Sequence, residues 1–293
     1  MSTAFLMPIL HAGEAEPTGW LHSDWRPEPT VVVGVLILIG LYAHWTGSRN
    51  RNHRDEPIHP VRRSQRVMFF LGALTLLLAL GPPLDDWSDH YLLTAHMAQH
   101  LFLMLVAAPL LIAGTPAWLL TKLIKRGPVR PVLYAVTRAP ASFLISSLIV
   151  VLWHMPIAYD AALGSEPVHI IEHWFFLLAA FLAWWPVLSR SPELPGLAPL
   201  PSCLYLFAQT IPSGIVGAFI TFADAGLYDV YPQAARIWGL SLGTDQQLGG
   251  LMMWVLANAV YLGWITVIFV KWGTEQERAN RPPRSESASP ARL

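Results

Sequence analysis

The sequence predicts an all-α protein, a polytopic membrane helix bundle of seven transmembrane helices with the N-terminus outside and the C-terminus in the cytoplasm. Three observations predict it. Hydrophobic residues make up 54% of the 293-residue chain and charged residues 13%, against about 25% charged in an ordinary soluble domain. The apolar residues gather in stretches of about 17 to 25, enough to cross a bilayer as helices. Seventeen of the nineteen Lys and Arg residues fall in alternate connections and the tail, and short basic loops stay in the cytoplasm.

The elements follow in order. Residues 1–29 form an extracytoplasmic arm, because "FLMPIL" at Phe5 to Leu10 is too short for the apolar region of a signal peptide. Spans are expected over residues 30–47, 66–82, 92–114, 141–160, 168–189, 202–223 and 247–271. The second is the shortest, stopped by Pro82 and Pro83, and flanking residues can snorkel to cover the mismatch. Pro109, Pro116, Pro156 and Pro212 are expected to kink or end their spans. Trp184 and Trp185 suit an interfacial belt at the inner end of the fifth. The bundle thus covers residues 30–273, and residues 274–293, rich in Arg, Ser, Pro and Glu, form a disordered cytoplasmic tail.

Orientation rests on the loops. The first carries Arg49, Arg51, Arg54, Arg62, Arg63 and Arg66, and the third Lys122, Lys125, Arg126, Arg130 and Arg138; both are inside. The alternate loops hold Asp85, Asp86 and Asp89, then Asp160 and Glu166, then Asp224, Asp229 and Asp245, with Arg236 their sole base. A multi-pass location in the membrane follows. With Cys203 as the only cysteine, an intramolecular disulfide and a thiolate-only metal site are excluded. The bilayer is the expected surroundings, and no nucleic-acid partner is expected.

Polar residues inside these spans carry the functional signal. His96 and His100 open the third span, His154 closes the fourth, and His169 and His173 open the fifth, so all five lie at the outer side. Each pair is spaced i, i+4, which puts both imidazoles on one helical face about 6 Å apart. Five imidazoles at one depth exceed the three or four ligands of a single metal site. Glu172 is the one acid well inside a span, placed to hold a histidine tautomer or to ligate directly. Gln99 and Asp245 lie at similar depth, Asp245 with the alternative of capping a helix. Met97 and Met155 offer soft thioethers of the kind that favour copper(I), or simply pack. His44, His53 and His59 are expected in solvent on the inner side, and His11, His22 and His90 on the outer face.

Three chemistries suit such a cluster: transient copper binding for transfer to a partner, iron for oxygen chemistry, or axial ligation of haem for electron transfer. Di-iron enzymes of the membrane use further His-rich clusters facing the cytoplasm, and this chain has none there, so copper leads and haem is the alternative. No bond in a substrate need be made or broken, so an enzyme is not expected.

The stretches "HMAQHLFLMLVAAPLLIAGTP" (96–116), "WHMPIAYDAAL" (153–163), "HIIEHWFFLLAAFLAWWPVL" (169–188) and "DQQLGGLMMW" (245–254) resemble the CtaG family of cytochrome c oxidase assembly factors, of the caa3-type oxidase. The similarity covers spans two to seven. It implies a multi-span bacterial membrane protein that takes part in maturing a haem-copper oxidase and delivers copper to it. The implied partners are oxidase subunits or other copper-handling assembly factors. The family's motif histidines fall on His96, His100, His154, His169 and His173, with Glu172 and Asp245 as motif acids.

Overall fold

The structure is a computed structural model that describes residues 28–47, 61–125 and 129–280. Within them the regular structure is all helical, with no strand. The helices are α1 (Pro29–Thr46), α2 (Arg63–Ala79), α3 (Leu84–His90), α4 (Leu93–Gly114), α5 (Ala117–Lys125) and α6 (Arg130–Val136). They continue with α7 (Ala139–Trp153), α8 (Pro156–Leu163), α9 (Glu166–Leu188), α10 (Pro199–Phe222) and α11 (Leu242–Ala279). Five of these, α1, α4, α9, α10 and α11, are long and apolar enough to cross a membrane, and the count reaches seven if the bent pairs α2–α3 and α6–α7 are one span each. The arm at 1–27, the tail at 281–293 and His11, His22, His53 and His59 lie outside the described residues.

Apolar side chains serve two solvents. Leu144, Trp174, Leu204 and Phe222 stand well exposed, the outward faces that lipid would cover. Inside, α2 packs on α4 through Phe69, Ala73, Leu76, Leu103 and Leu111. Trp184 of α9 and Leu206 of α10 meet Leu105 of α4 and Tyr261 of α11. Helices α10 and α11 approach most closely at Gly217 and Gly250, where a Cβ on Gly250 would stand 2.3 Å from Thr221 Oγ1 and 2.7 Å from the Gly217 oxygen. Small residues of this kind let membrane helices touch backbone to backbone.

Two stretches of wide π-helical turn interrupt otherwise regular spans, at Phe102–Ala107 in α4 and Met252–Leu256 in α11. In α4 the Ala108 N–H bonds the Leu103 carbonyl five residues back, and the Met104 carbonyl instead accepts the Trp184 indole N–H at 2.7 Å. Pro109 follows at once and has no N–H to give the preceding turn. The expected disturbance at Pro109 is therefore this widened turn, and the helix runs on to Gly114.

Three other expectations are corrected. The fourth span stops at Trp153 rather than running to residue 160, because Met155 precedes Pro156 and is extended (φ −68°, ψ 136°). Residues 274–279 are helical rather than disordered, since α11 continues to Ala279 through the helix formers of "TEQERA". Pro212, expected to kink or end its span, lies inside α10, which continues past it to Phe222. Trp184 is buried in the core, not in an interfacial belt. The third loop also contains the short helices α5 and α6, and Arg130 at the start of α6 pairs with Glu193 of the fifth loop at 3.1 Å.

Candidate metal centre

Helices α4, α7 and α9 bring the five histidines together at one end of the bundle. The rings of His96 and His100 are 4.3 Å apart between centroids, and those of His169 and His173 are also 4.3 Å apart. Across helices, His96 stacks on His169 at 5.7 Å, while His100 lies 5.8 Å from His173 and 6.0 Å from His154. His100 rests flat against Phe176, with centroids 3.9 Å apart, which fixes its plane.

Glu172 stands at the centre and is fully buried. Its Oε1 is 3.7 Å from His96 Nε2 and 3.9 Å from His100 Nε2, and its Oε2 is 3.8 Å from His169 Nε2. These distances exceed a hydrogen bond. Both ring nitrogens of His96, both of His100 and both oxygens of Glu172 lack a hydrogen-bond partner. A buried polar group left unpaired costs about 1 to 3 kcal/mol, so a fold that gathers six such atoms has not arranged them for stability.

Two groups of three have ligand atoms all within 4.8 Å of one another: His96, His100 and Glu172, fully buried, and Asp89, His96 and His169, nearer the surface. Bonds of about 2.0 to 2.1 Å to one tetrahedral ion set ligand atoms about 3.4 Å apart. Separations of 3.7 and 3.9 Å therefore need only a small closure around an ion.

The other imidazoles are held differently. His154 ends α7, and its Nδ1 lies 2.7 Å from the Val150 carbonyl, leaving Nε2 free of partners and pointing its lone pair inward as a metal-binding histidine does. His173 Nε2 instead meets Gln99 Oε1 at 3.3 Å, while Gln99 Nε2 donates to Asp85 Oδ1 at 2.8 Å. Gln99 thus orients a ring and belongs to a chain from the α3 acids to α9.

The remaining candidates have structural partners. Asp245 of α11 accepts the backbone N–H of Leu93 at 2.9 Å and of Thr94 at 3.0 Å, so it caps the first turn of α4 from another helix. Met97 is fully buried among Leu93, Val216 and Met253, and it lines a small cavity of about 40 Å³ beside His100 and His154. Met155 is 38% exposed. His44 at the end of α1 and His90 of α3 are exposed.

Sequence reasoning grouped Asp89 with the acids of the loop before the third span but did not place it at the site. Its Oδ2 lies 3.4 Å from His169 Nδ1. The signal was present: Asp85 and Asp89 in "LDDWSDH" share the i, i+4 spacing of the histidines. Also unexpected is a buried tyrosine group against the site. Tyr159 packs 4.9 Å from His96, stacks on Tyr228 at 3.9 Å and bonds Tyr231 hydroxyl to hydroxyl at 2.7 Å. Tyr231 lies in the loop between α10 and α11, where burial pushes its hydroxyl well above the ordinary phenol value. It stays neutral and donates to the Ser88 carbonyl at 3.2 Å, tying α3 to the site.

These features define a helical membrane protein whose buried imidazoles and carboxylate can hold a metal ion. Residues 40–275 match the profile of the cytochrome c oxidase caa3 assembly factors, Caa3_CtaG, and the chain belongs to that family. It is also similar to an uncharacterized protein of Mycobacterium bovis, 23% identical over 284 residues, covering 89% of this chain and 41% of the relative. A second uncharacterized relative, from Mycobacterium leprae, is 22% identical over 273 residues, covering 87% of this chain and 40% of its own length. The chain thus spans about two-fifths of these curated relatives. No solved structure matches it.

Proposed function

We propose that the protein binds copper at the histidine cluster and passes it to a haem-copper oxidase during assembly in a bacterial inner membrane. The observation that carries this reading is the set of unpartnered atoms on His96, His100 and Glu172, six buried polar atoms that converge without bonding one another. Imidazole suits first-row transition ions, copper among them. The oxidase as recipient comes from the family, and copper is the cargo that the resemblance of the motifs implies.

The seven-span, N-out arrangement puts the cluster on the extracytoplasmic side, opposite the loops that carry the bases. His154 and His169 complete or exchange with the inner ligands, and His173 lends an adjacent ring. The cavity beside His100 and His154, about 40 Å³, favours an ion over haem, since organic cofactors occupy pockets of about 300 to 1,000 Å³. The role is delivery rather than catalysis.

Metal analysis and optical spectra of the purified protein test this, comparing wild type with His100→Ala and His173→Ala. Stoichiometric copper is expected in the wild type and lost in His100→Ala, with a smaller decrease in His173→Ala and no Soret band. Absence of bound copper from wild type under reducing, copper-replete conditions refutes the reading.

A further inference from the structure

We propose that Asp89, His169 and His96 form an outer binding station at which a transition-metal cation first lodges, before it moves to His96, His100 and Glu172. This rests on the reading that the buried cluster binds metal. Nothing in the family's histidine motifs includes Asp89, which arrives from α3, the helix between the second and third spans.

The two stations form a graded path. The Asp89 side chain is 25% exposed, that of His169 10%, and that of Glu172 0%. The Asp89 carboxylate is already oriented, since its Oδ1 accepts the Ser88 hydroxyl at 2.8 Å, which leaves Oδ2 to face His169 Nδ1 at 3.4 Å. The opposite nitrogen of the same ring, Nε2, faces Glu172 Oε2 at 3.8 Å and has no hydrogen-bond partner. One imidazole therefore stands between an outer and an inner carboxylate.

His96 belongs to both groups of converging ligand atoms, is fully buried and has neither nitrogen paired. An ion can thus exchange Asp89 and His169 for Glu172 and His100 while His96 keeps hold of it. Movement by ligand exchange avoids releasing a bare cation into a low-dielectric interior, where an unpaired charge is costly. The neighbouring Asp85 is already bonded to Gln99, so Asp89 is the acid of α3 with an oxygen aimed at the histidines.

Uptake kinetics separate the outer station from the retained site. The full chain in detergent is mixed with the coloured copper(I) complex of bicinchoninate, and loss of colour gives rate and final occupancy. Asp89→Asn is expected to load about tenfold more slowly, the effect of losing one ligand on the path, with final occupancy unchanged. Asp89→Glu, which keeps a carboxylate, stays within about threefold of wild type, and Asp86→Asn, which removes equal charge nearby, within about twofold.

His169→Gln provides an independent arm should Asp89→Asn not fold, and its uptake too is expected to slow about tenfold, the rate alone being its readout. Wild-type rates in both variants overturn the outer station, as does equal slowing by Asp86→Asn. Loss of final occupancy in Asp89→Asn also overturns it, since Asp89 would then belong to the retained site. If wild type itself takes up no copper, the failure lies in the metal reading, and the outer station falls with it.

Discussion

Replacing Asp245 by alanine tests whether this motif acid ligates metal or holds the metal-binding helix in place. The carboxylate is fully buried and accepts two backbone N–H groups, from Leu93 at 2.9 Å and Thr94 at 3.0 Å. Those donors belong to the first turn of α4, where no intrahelical acceptor exists. Loss of an N-terminal cap costs about 0.5 to 2 kcal/mol, and an unsatisfied buried donor about 1 to 3 kcal/mol. With both donors affected and some relaxation toward water, Asp245→Ala should destabilise by about 2 to 4 kcal/mol. Asp245→Asn keeps one acceptor oxygen and should cost about half as much.

Reversible unfolding in mixed micelles of rising denaturing-detergent content, followed by circular dichroism, measures both. Asp245→Asn should still bind copper, because His96 and His100 lie about one and two turns beyond the cap. An Asp245→Ala variant within about 0.5 kcal/mol of wild type refutes the cap. So does an Asp245→Asn variant that loses copper at unchanged stability, the result expected of a ligand.

Three further outcomes follow from the same geometry. Glu172→Gln replaces a buried carboxyl group that has no hydrogen-bonded partner, so the metal-free protein should be as stable as wild type or more so, while copper affinity falls at least about tenfold; equal affinity in titrations would contradict the site. Copper affinity should fall as the solution is made acidic, because protons compete with metal for imidazole, and a flat profile in competition titrations would exclude histidine ligands. Gly250→Ala should cost more than about 2 kcal/mol, since its methyl would enter the backbone of α10 2.7 Å from the Gly217 oxygen; unfolding at the wild-type midpoint would show that these helices separate freely.

The sequence made the long elements legible because hydropathy and helix length are local properties. All five histidines could be assigned to one end of the bundle, since depth follows from distance along a span. What escaped was set by contacts between distant segments. The Asp245 cap joins residues 152 apart, and the Gln99 bond to His173 joins residues 74 apart; no spacing rule reports such pairs. Asp89 was legible as an outer acid but not as a neighbour of His169, because the angle between α2 and α3, 41°, is a tertiary property. The helical turn at residues 274–279 was missed for the opposite reason. A polar segment lacks an apolar period yet continues a helix already nucleated by the span before it.

The wide turn in α4 makes the length of that segment a constraint of its own. Each residue advances a helix by about 100°, so removing one residue between Phe102 and Ala107 and restoring regular winding would rotate everything above it relative to everything below. Below, Leu111 packs on α2 and the Gly114 carbonyl accepts the Tyr42 hydroxyl at 3.1 Å. Above, His96 and His100 face Glu172. Both faces cannot be kept with one residue fewer. Relatives that preserve the site are therefore expected to vary in side chains along this stretch but to conserve the number of residues between His100 and Gly114.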